Sequence, residues 1–478
     1  MNVKKKTLTG SLWNVVRTFT ISFIDLFVYM YLARLLTLEE FGVLTFCLLI
    51  VEFANMLTNV GVNQNLIQRK EWDLSYFSSV FTFVLSASVV LTFLLGLIGG
   101  GVAFYTHSKL AALVILSLSI LPILVGLQSI FSAKMERDFL NKEITTIKGS
   151  AAVFSGLLTI TLAYNGIGLW SVVVGKITQH TVVLIWFFTK AKLKVSLSIE
   201  RSHLNEITSF CLPLFAIAVV NFLHGKASNL YVGLVLGAEK FALISVSKKG
   251  TEVLSQLSIT SINKMIVPSM SRVASEKKVA AFYKVLHFTS LVVIPSFLGL
   301  GAVSEKFILL SFGAKFSESA IFLQITTSMI IAQTLTWFLP NLLISEGKTK
   351  DALRLKLISV IGSVLVSGCT VWFGVEVMLI SMTVASYLIM PIIVSVVKKH
   401  YDIELGKMIK LCLPSIISSF VMITAIKVAE VYLDLYSIPL IFDLLALVCV
   451  GGLTYAIMIM IFFRSSVGEV VGLLKKNQ

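Results

Sequence analysis

Long apolar stretches alternate with short polar connections along almost the whole chain. Fourteen such stretches are drawn, at residues 11–33, 41–65, 76–104, 110–132, 148–165, 168–189, 207–233, 241–268, 285–304, 319–344, 353–373, 376–397, 409–432 and 438–463. A helix rising about 1.5 Å per residue needs about 20 residues to cross roughly 30 Å of hydrocarbon, and these stretches have that length. The pattern therefore predicts an all-α integral membrane protein with 14 transmembrane helices. No connection is long enough to hold a soluble catalytic domain, so the protein's work is done within or across a bilayer.

Polar residues inside the stretches are arranged by helical period. In the second span Thr45, Glu52, Asn55, Asn59 and Asn63 fall within an arc of about 80° at 100° per residue. In the first span Asn14, Arg17, Thr18, Ser22 and Asp25 fall within about 140°. The eighth span carries Ser245, Lys248, Lys249, Glu252, Gln256 and Asn263 on one face; the seventh carries Asn221, His224 and Ser228, with Lys226 turned roughly 140° away. Lys176 and His180 share a face of the sixth span. Charge at mid-membrane is costly and usually faces a protein interior or a wet cavity. The first, second, seventh and eighth spans are therefore the expected cavity walls. Lys248 or Lys249 can pair with Glu252 along one helix. Lys427 and Glu430, at i,i+3 in the thirteenth span, are placed to pair locally or to reach headgroups.

The walls come in equivalent pairs because the chain repeats. Leu35-Leu36-Thr37-Leu38-Glu39-Glu40-Phe41 is echoed by Val235-Leu236-Gly237-Ala238-Glu239-Lys240-Phe241, and the same offset takes Glu52 to Glu252. Both turns lie on the same side of the membrane, which fits a parallel repeat with a pseudo-two-fold axis along the membrane normal. The expected organisation is an N-terminal six-helix lobe at 1–206, a C-terminal six-helix lobe at 207–400, and helices 13 and 14 with a cytoplasmic tail at 401–478.

Charge orients the array. With the N-terminus cytoplasmic, 28 of the 40 Lys and Arg lie on the inner side, 5 on the outer side and 7 inside spans. Such an excess is the positive-inside signature, and it places both termini in the cytoplasm. The net charge of +15 thus follows membrane asymmetry and gives no reason to invoke nucleic acid. Hydrophobic residues make up 56% of the chain and charged residues 14%, which fits the same class. Lys4–Lys6 lead straight into a full-length span with no small-residue cleavage site, so a removed signal peptide is not expected. The five cysteines sit singly in spans and are expected to be small buried hydrophobes.

Inside the spans the bases are Arg17, Lys176, Lys226, Lys248, Lys249, Lys264 and Lys427, and the acids singled out are Asp25, Glu52, Glu252 and Glu430. That surplus suits an anionic ligand such as a phosphate group. The sequence contains no P-loop, no HExxH, no GxSxG and no acidic metal cluster, so neither an enzyme nor a bound cofactor is expected. The inner segment Lys134–Lys142, charged with apolar interruptions, has the look of a short interfacial helix, and so has Val467–Lys476. Pro122, Pro295 and Pro391 lie well inside spans and permit kinks.

Several motifs carry a family likeness. Gly10-Ser11-Leu12-Trp13, Leu32-Ala33-Arg34-Leu35-Leu36-Thr37-Leu38-Glu39-Glu40-Phe41-Gly42, Met135-Glu136-Arg137-Asp138-Phe139, Gly166-Ile167-Gly168-Leu169-Trp170-Ser171, Val267-Pro268-Ser269-Met270-Ser271-Arg272 and Glu346-Gly347-Lys348-Thr349-Lys350 are spread from residue 10 to about 350. Together they resemble bacterial polysaccharide flippases (the O-antigen, colanic-acid and teichuronic-acid type) of the multidrug/oligosaccharidyl-lipid/polysaccharide exporter superfamily. Leu38 replaces a usual proline. Ser228 stands where many members have an aspartate, so a role for that carboxylate does not carry over.

The resemblance implies an undecaprenyl-diphosphate-linked oligosaccharide moved from inner to outer leaflet of the cytoplasmic membrane by alternating access, with membrane lipids around the cargo's tail. It also implies a polysaccharide polymerase and a chain-length regulator as partners. On this reading Arg17, Lys226, Lys248 and Lys249 are candidate diphosphate ligands. Asp25 and Glu52 are candidates for proton or sodium coupling, since a carboxylate in low dielectric exchanges protons near neutral pH. Asn55, Asn59, Lys176, His180, His224 and Glu252 are candidate cavity residues. Two rivals stand beside it: a cation-coupled multidrug exporter of the same superfamily, and a membrane scaffold for glycan assembly without transport.

Overall fold

The computed structural model describes residues 20–59, 61–69, 73–106, 108–191, 193, 196–256, 258, 275–436 and 438–462. Within them the elements are helices, joined by short turns and without a strand. Twelve helices or helix runs are long and apolar enough to cross a membrane. The first and eighth expected spans are helical at residues 20–35 (α1) and at Gly237–Ser255, and the rest of each lies outside the described residues. Arg17, Lys264 and the tail segment Val467–Lys476 lie outside them as well.

The chain divides into two compact units, Met1–Gly225 with Gly237–Ala242, and Lys226–Leu236 with Leu243–Gln478. In the first unit α1 leads to α2 (Leu38–Asn59) through a capping box. The Glu40 amide donates to Thr37 Oγ1 at 3.2 Å, and the Thr37 amide donates to Glu40 Oε2 at 2.9 Å. One turn on, Gly42 lets the backbone of Ala238 approach closely: a Cβ at Gly42 would sit 1.9 Å from the Ala238 carbonyl oxygen. The two echoes of the sequence repeat thus touch at this turn.

A short α3 (Val62–Gln68) and the long α4 (Leu74–Thr106) follow. The fourth span is two helices, α5 (Lys109–Leu118) and α6 (Leu121–Arg137), interrupted at Ser119 and Ile120 just ahead of Pro122. The separate interfacial helix expected at Lys134–Lys142 is not formed. Lys134–Arg137 is the last turn of α6, and α7 (Asn141–Leu162) starts four residues later. Phe139, at φ +58°, reverses the chain, while the amides of Phe139 and Leu140 close on the carbonyls of Glu136 and Met135. A π turn at Ala163–Ile167 leads to α8 (Trp170–Ala191). Tyr76, Phe77, Phe81, Ile130, Phe131 and Phe187 form the heart of this unit's core.

Next come α9 (Arg201–Val235) and α10 (Gly237–Ser255), antiparallel across a tight turn in which Gly237 takes φ +83°. The second unit centres on α11 (Ser275–Ala302), the most buried span at 61% of its apolar window, against 17% for the last span. It continues through α12 (Ser304–Phe312), α13 (Ser319–Ser328), α14 (Ile330–Thr336), α15 (Leu339–Ile344), α16 (Thr349–Thr370) and α17 (Val375–Lys398). The last two, α18 (Leu405–Leu433) and α19 (Leu440–Phe462), form a hairpin, and α18 packs along α11.

Polar groups fasten that hairpin. His287 Nδ1 donates to the Leu411 carbonyl at 2.8 Å, Ser290 and Ser415 share a hydrogen bond at 3.2 Å, and the Tyr455 hydroxyl donates to the Leu291 carbonyl at 2.7 Å. Away from water such bonds are the glue between helices. Lys306, at the start of α12, bridges Asp434 at 2.6 Å and Asp443. Asp443 lies within the last span and adds an acid to those singled out from the sequence. Burial pulls the Lys306 pKa down, but the two carboxylates outweigh it and leave the value above the ordinary one.

At the other end of this unit Glu346 joins three connections. It accepts from Lys278 at 3.3 Å and from Lys348 at 3.0 Å, and the Tyr401 hydroxyl also bonds to it. Burial alone would raise the Glu346 pKa; these donors reverse that and hold it at about 2. Of the cysteines, Cys47, Cys211 and Cys412 are buried as expected. Cys369 and Cys449 are exposed on their helices, where the expectation of burial fails because a thiol is apolar enough to face lipid.

Candidate substrate site

The α9–α10 hairpin brings most of the basic candidates together. Its turn at Gly237 sets the register, so residues 8 to 11 before the turn face residues 11 to 15 after it. Lys226 Nζ donates to Glu252 Oε1 at 3.0 Å. Lys248 Nζ donates to Ser228 Oγ at 2.7 Å and to Asn229 Oδ1 at 2.5 Å. Ser228 and Asn229 are both buried, at 5% and 6% exposure. Glu252 therefore meets the lysine of the neighbouring helix. Lys248, in turn, is held by a hydroxyl and an amide, acceptors that carry no charge.

This arrangement has a chemical consequence. A cation in a poorly solvated setting is stable only with compensation from charge or hydrogen bonds. Glu252 pairs with Lys226 and acts on Lys248 as well, at longer range, so one carboxylate serves two lysines. The acceptors of Lys248 orient its ammonium group without cancelling its charge, so the cluster keeps a net positive character. Ser228, a neutral hydroxyl at a place where a carboxylate would cancel the charge, is what leaves it so. Lys249 is half-buried on the same helix, and His224 is exposed on α9.

In the first unit Lys176 on α8 meets Asp25 on α1 at 3.3 Å, with the side chains 33% and 40% exposed. His180, one turn along α8, is held by Gln128 of α6. The Gln128 amide donates to the His180 carbonyl at 2.5 Å and lies 3.4 Å from Nδ1. The polar stripe of α2 divides. Thr45 is buried and donates to the Phe41 carbonyl at 2.7 Å, satisfied within its own helix. Glu52 is exposed, and Asn55 and Asn59 are half-buried. Asn59 Nδ2 donates to the Asn55 carbonyl at 3.0 Å, while Asn55 Oδ1 is buried without a partner. Asn63 reaches across to Glu136 at 3.3 Å.

Periodicity therefore found Lys248 and Ser228, Glu252 and Lys226, Lys176 and Asp25, and His180, but not every group that holds them. Asn229 and Gln128 were missed. Their only sequence signal is an amide inside an apolar stretch. Among the described residues no group of three His, Cys, Asp or Glu is placed to hold a metal ion.

Comparison with known proteins agrees with this architecture. Over 441 residues the chain is 22% identical to the lipopolysaccharide biosynthesis protein WzxC of Escherichia coli (strain K12), covering 89% of each. It is 24% identical to an uncharacterized membrane protein in the cps region of Klebsiella pneumoniae, covering 100% of this chain and 99% of the other. Its fold matches the lipid II flippase MurJ in an inward closed conformation, with a TM-score of 0.76 at 16% identity, over 95% of this chain and 99% of that one. The family described as polysaccharide biosynthesis protein matches residues 31–321, well over half of the sequence. The chain is a multi-pass membrane protein that belongs to the polysaccharide biosynthesis protein family.

Proposed function

We propose that the protein is a flippase that carries an undecaprenyl-diphosphate-linked oligosaccharide from the inner to the outer leaflet of the cytoplasmic membrane, for surface polysaccharide synthesis. The observation that carries this reading is the Lys248 cluster: a lysine held in a span by neutral acceptors, beside a Lys226–Glu252 pair. A diphosphate supplies the missing negative charge. A drug cation meets the wrong sign there, which disfavours the multidrug-exporter reading. The relatives' names support a role in glycan export, and the likeness to MurJ supports a flippase fold.

In this reading Lys248 with Lys226, Lys249 and Arg17 receives the diphosphate. Asn55, Asn59, His224, His180 and Glu252 offer hydrogen bonds to the sugar. Asp25, held by Lys176, and Glu52 are the groups for proton or sodium coupling. The protein has fourteen spans in two six-helix lobes plus a C-terminal hairpin, with both termini cytoplasmic, and works by alternating access. A polymerase and a chain-length regulator act next on the product.

The test is flipping of a fluorescent undecaprenyl-diphosphate-linked oligosaccharide in proteoliposomes. Replacing Lys248 by Met, which keeps length and removes charge, should lower the flipping rate by at least about tenfold, the effect of one lost charge-assisted hydrogen bond. Lys248→Arg should retain most of it. Full activity of Lys248→Met would remove the cluster from the substrate path.

A further inference from the structure

Two helices of the chain begin and end alike. Asn141-Lys142-Glu143 opens α7 and Thr349-Lys350-Asp351 opens α16, 208 positions apart. The same offset takes Lys148 to Lys356 and Tyr164 to Trp372, and it takes Gly166, at φ +82°, to Gly374, at φ +103°. A match that holds at both ends marks α7 and α16 as equivalent elements, and Lys148 and Lys356 as equivalent lysines.

Both lysines face inward. Lys148 Nζ lies 5.7 Å from the ring of Phe187, which is fully buried. On α16 the buried residues Ala352, Leu355, Val360 and Ser367 span an arc of about 140° at 100° per residue, and Lys356 falls inside it. Arg354 points to the opposite side and is exposed. A lysine that only snorkelled to headgroups from the lipid would sit on that side. Lys356 is half-buried, and among the described residues it makes no hydrogen bond, ion pair or ring contact. An ammonium group turned inward without an acceptor costs free energy, and an anion returns it.

Height selects the anion. Tyr164 and Trp372, 79% and 71% exposed, lie at the outer ends of their helices, where aromatic side chains mark the membrane boundary. Each lysine lies about 24 Å below its aromatic at 1.5 Å per residue, against roughly 30 Å of hydrocarbon. The ammonium group of Lys356 therefore reaches the level of the inner leaflet's phosphates from the protein's own interior side. The Lys248 cluster is higher. Tyr231 of α9 packs on Gly368 of α16, its ring 3.4 Å from where a Cβ would be. Measured down the two helices from that contact, Lys356 lies about 13 Å nearer the cytoplasm than Ser228, which holds Lys248.

We propose that Lys356 is an intake contact for the diphosphate of the lipid carrier, met at the inner leaflet before the Lys248 cluster. The carrier rests on the flippase reading; the phosphate rests on Lys356 itself. An ordinary phospholipid offers the same chemistry, and the experiment separates the two.

Binding of undecaprenyl diphosphate, which carries no sugar, is measured on the full chain by native mass spectrometry. Lys356→Met is made in a Lys248→Met background, so that the upper cluster does not mask it. It should weaken binding by about tenfold, the effect of one charge-assisted hydrogen bond, and Lys356→Arg should keep most of the affinity. Arg354→Met, at nearly the same height on the exposed face, should change it by less than about twofold. Unchanged binding in Lys356→Met, or an equal loss in Arg354→Met, would overturn the proposal. Phosphatidylglycerol competing as well as undecaprenyl diphosphate itself would assign the contact to ordinary phospholipid and overturn it too. The melting temperature of Lys356→Met should not fall, because no partner is lost; a fall would make the lysine structural and end the proposal. Lys356-dependent binding by a chain that flips no lipid-linked oligosaccharide would sink the flippase reading and leave the diphosphate contact standing.

Discussion

Gly42 provides the sharpest test of the packing described above. Replacing it with alanine adds one methyl group on the first turns of α2. That carbon would lie 1.9 Å from the Ala238 carbonyl oxygen and 2.5 Å from its carbonyl carbon. Real Cβ contacts essentially never fall below 3.0 Å, so a backbone must move, and no side chain can swing away to make room. Overpacking of this kind costs about 1–3 kcal/mol. Against it stands a helix-propensity gain of about 0.5–1 kcal/mol for Gly→Ala. The net expectation is destabilisation on the order of 1–2 kcal/mol. Gly149→Ala in α7 is the matched control, because nothing lies within 4 Å of its added Cβ. It should stabilise by about 0.5–1 kcal/mol. Thermal unfolding of both variants in detergent, followed by fluorescence-detected size exclusion, reads the two signs directly. A Gly42→Ala melting temperature equal to or above wild type would refute the contact between the two repeated turns.

Three further outcomes follow from the charges. Lys306→Met strands the buried Asp443 carboxylate and should cost about 3–5 kcal/mol, with Asp443→Asn restoring much of it in the double variant, read by melting temperature. Lys427→Ala removes the exposed partner of the i,i+3 pair with Glu430 and should cost no more than about 1 kcal/mol in the same assay; a larger loss would show that the pair is not merely local. Glu346 has a folded pKa depressed from 4.5 to about 2, so its contribution is present above 4.5 and lost as pH falls toward 2. Glu346→Gln should therefore flatten the loss of thermal stability across that acid window, and an unchanged pH profile would count against the Lys278–Lys348–Tyr401 network.

Much of this was readable in the sequence, and the limit has a physical reason. Helical period assigns residues to a face of one helix, so the local Lys427–Glu430 pair could be read directly. It does not say what the face meets. Whether Glu252 pairs with Lys248 along its own helix or with Lys226 across the hairpin depends on the register set at Gly237, and the structure selects Lys226. The Lys306 bridge joins residues 128 and 137 positions apart, beyond any local pattern. The expected helix at Lys134–Lys142 failed for the opposite reason. Its charged and apolar alternation is genuine, but Phe139 is the residue at which the chain reverses.

The fastening of α18 and α19 bears on how the protein is made. When α11 and the start of α12 leave the ribosome, His287 and Lys306 lack these partners, because Leu411, Asp434 and Asp443 are more than a hundred residues from emerging. Lipid offers His287 nothing in exchange. The second unit must therefore wait, in a sheltered or incompletely inserted form, until the final hairpin arrives. A chain ended before residue 405 should be degraded rather than accumulate as a twelve-helix protein. Supplying residues 400–478 as a separate polypeptide in the same cell should rescue it.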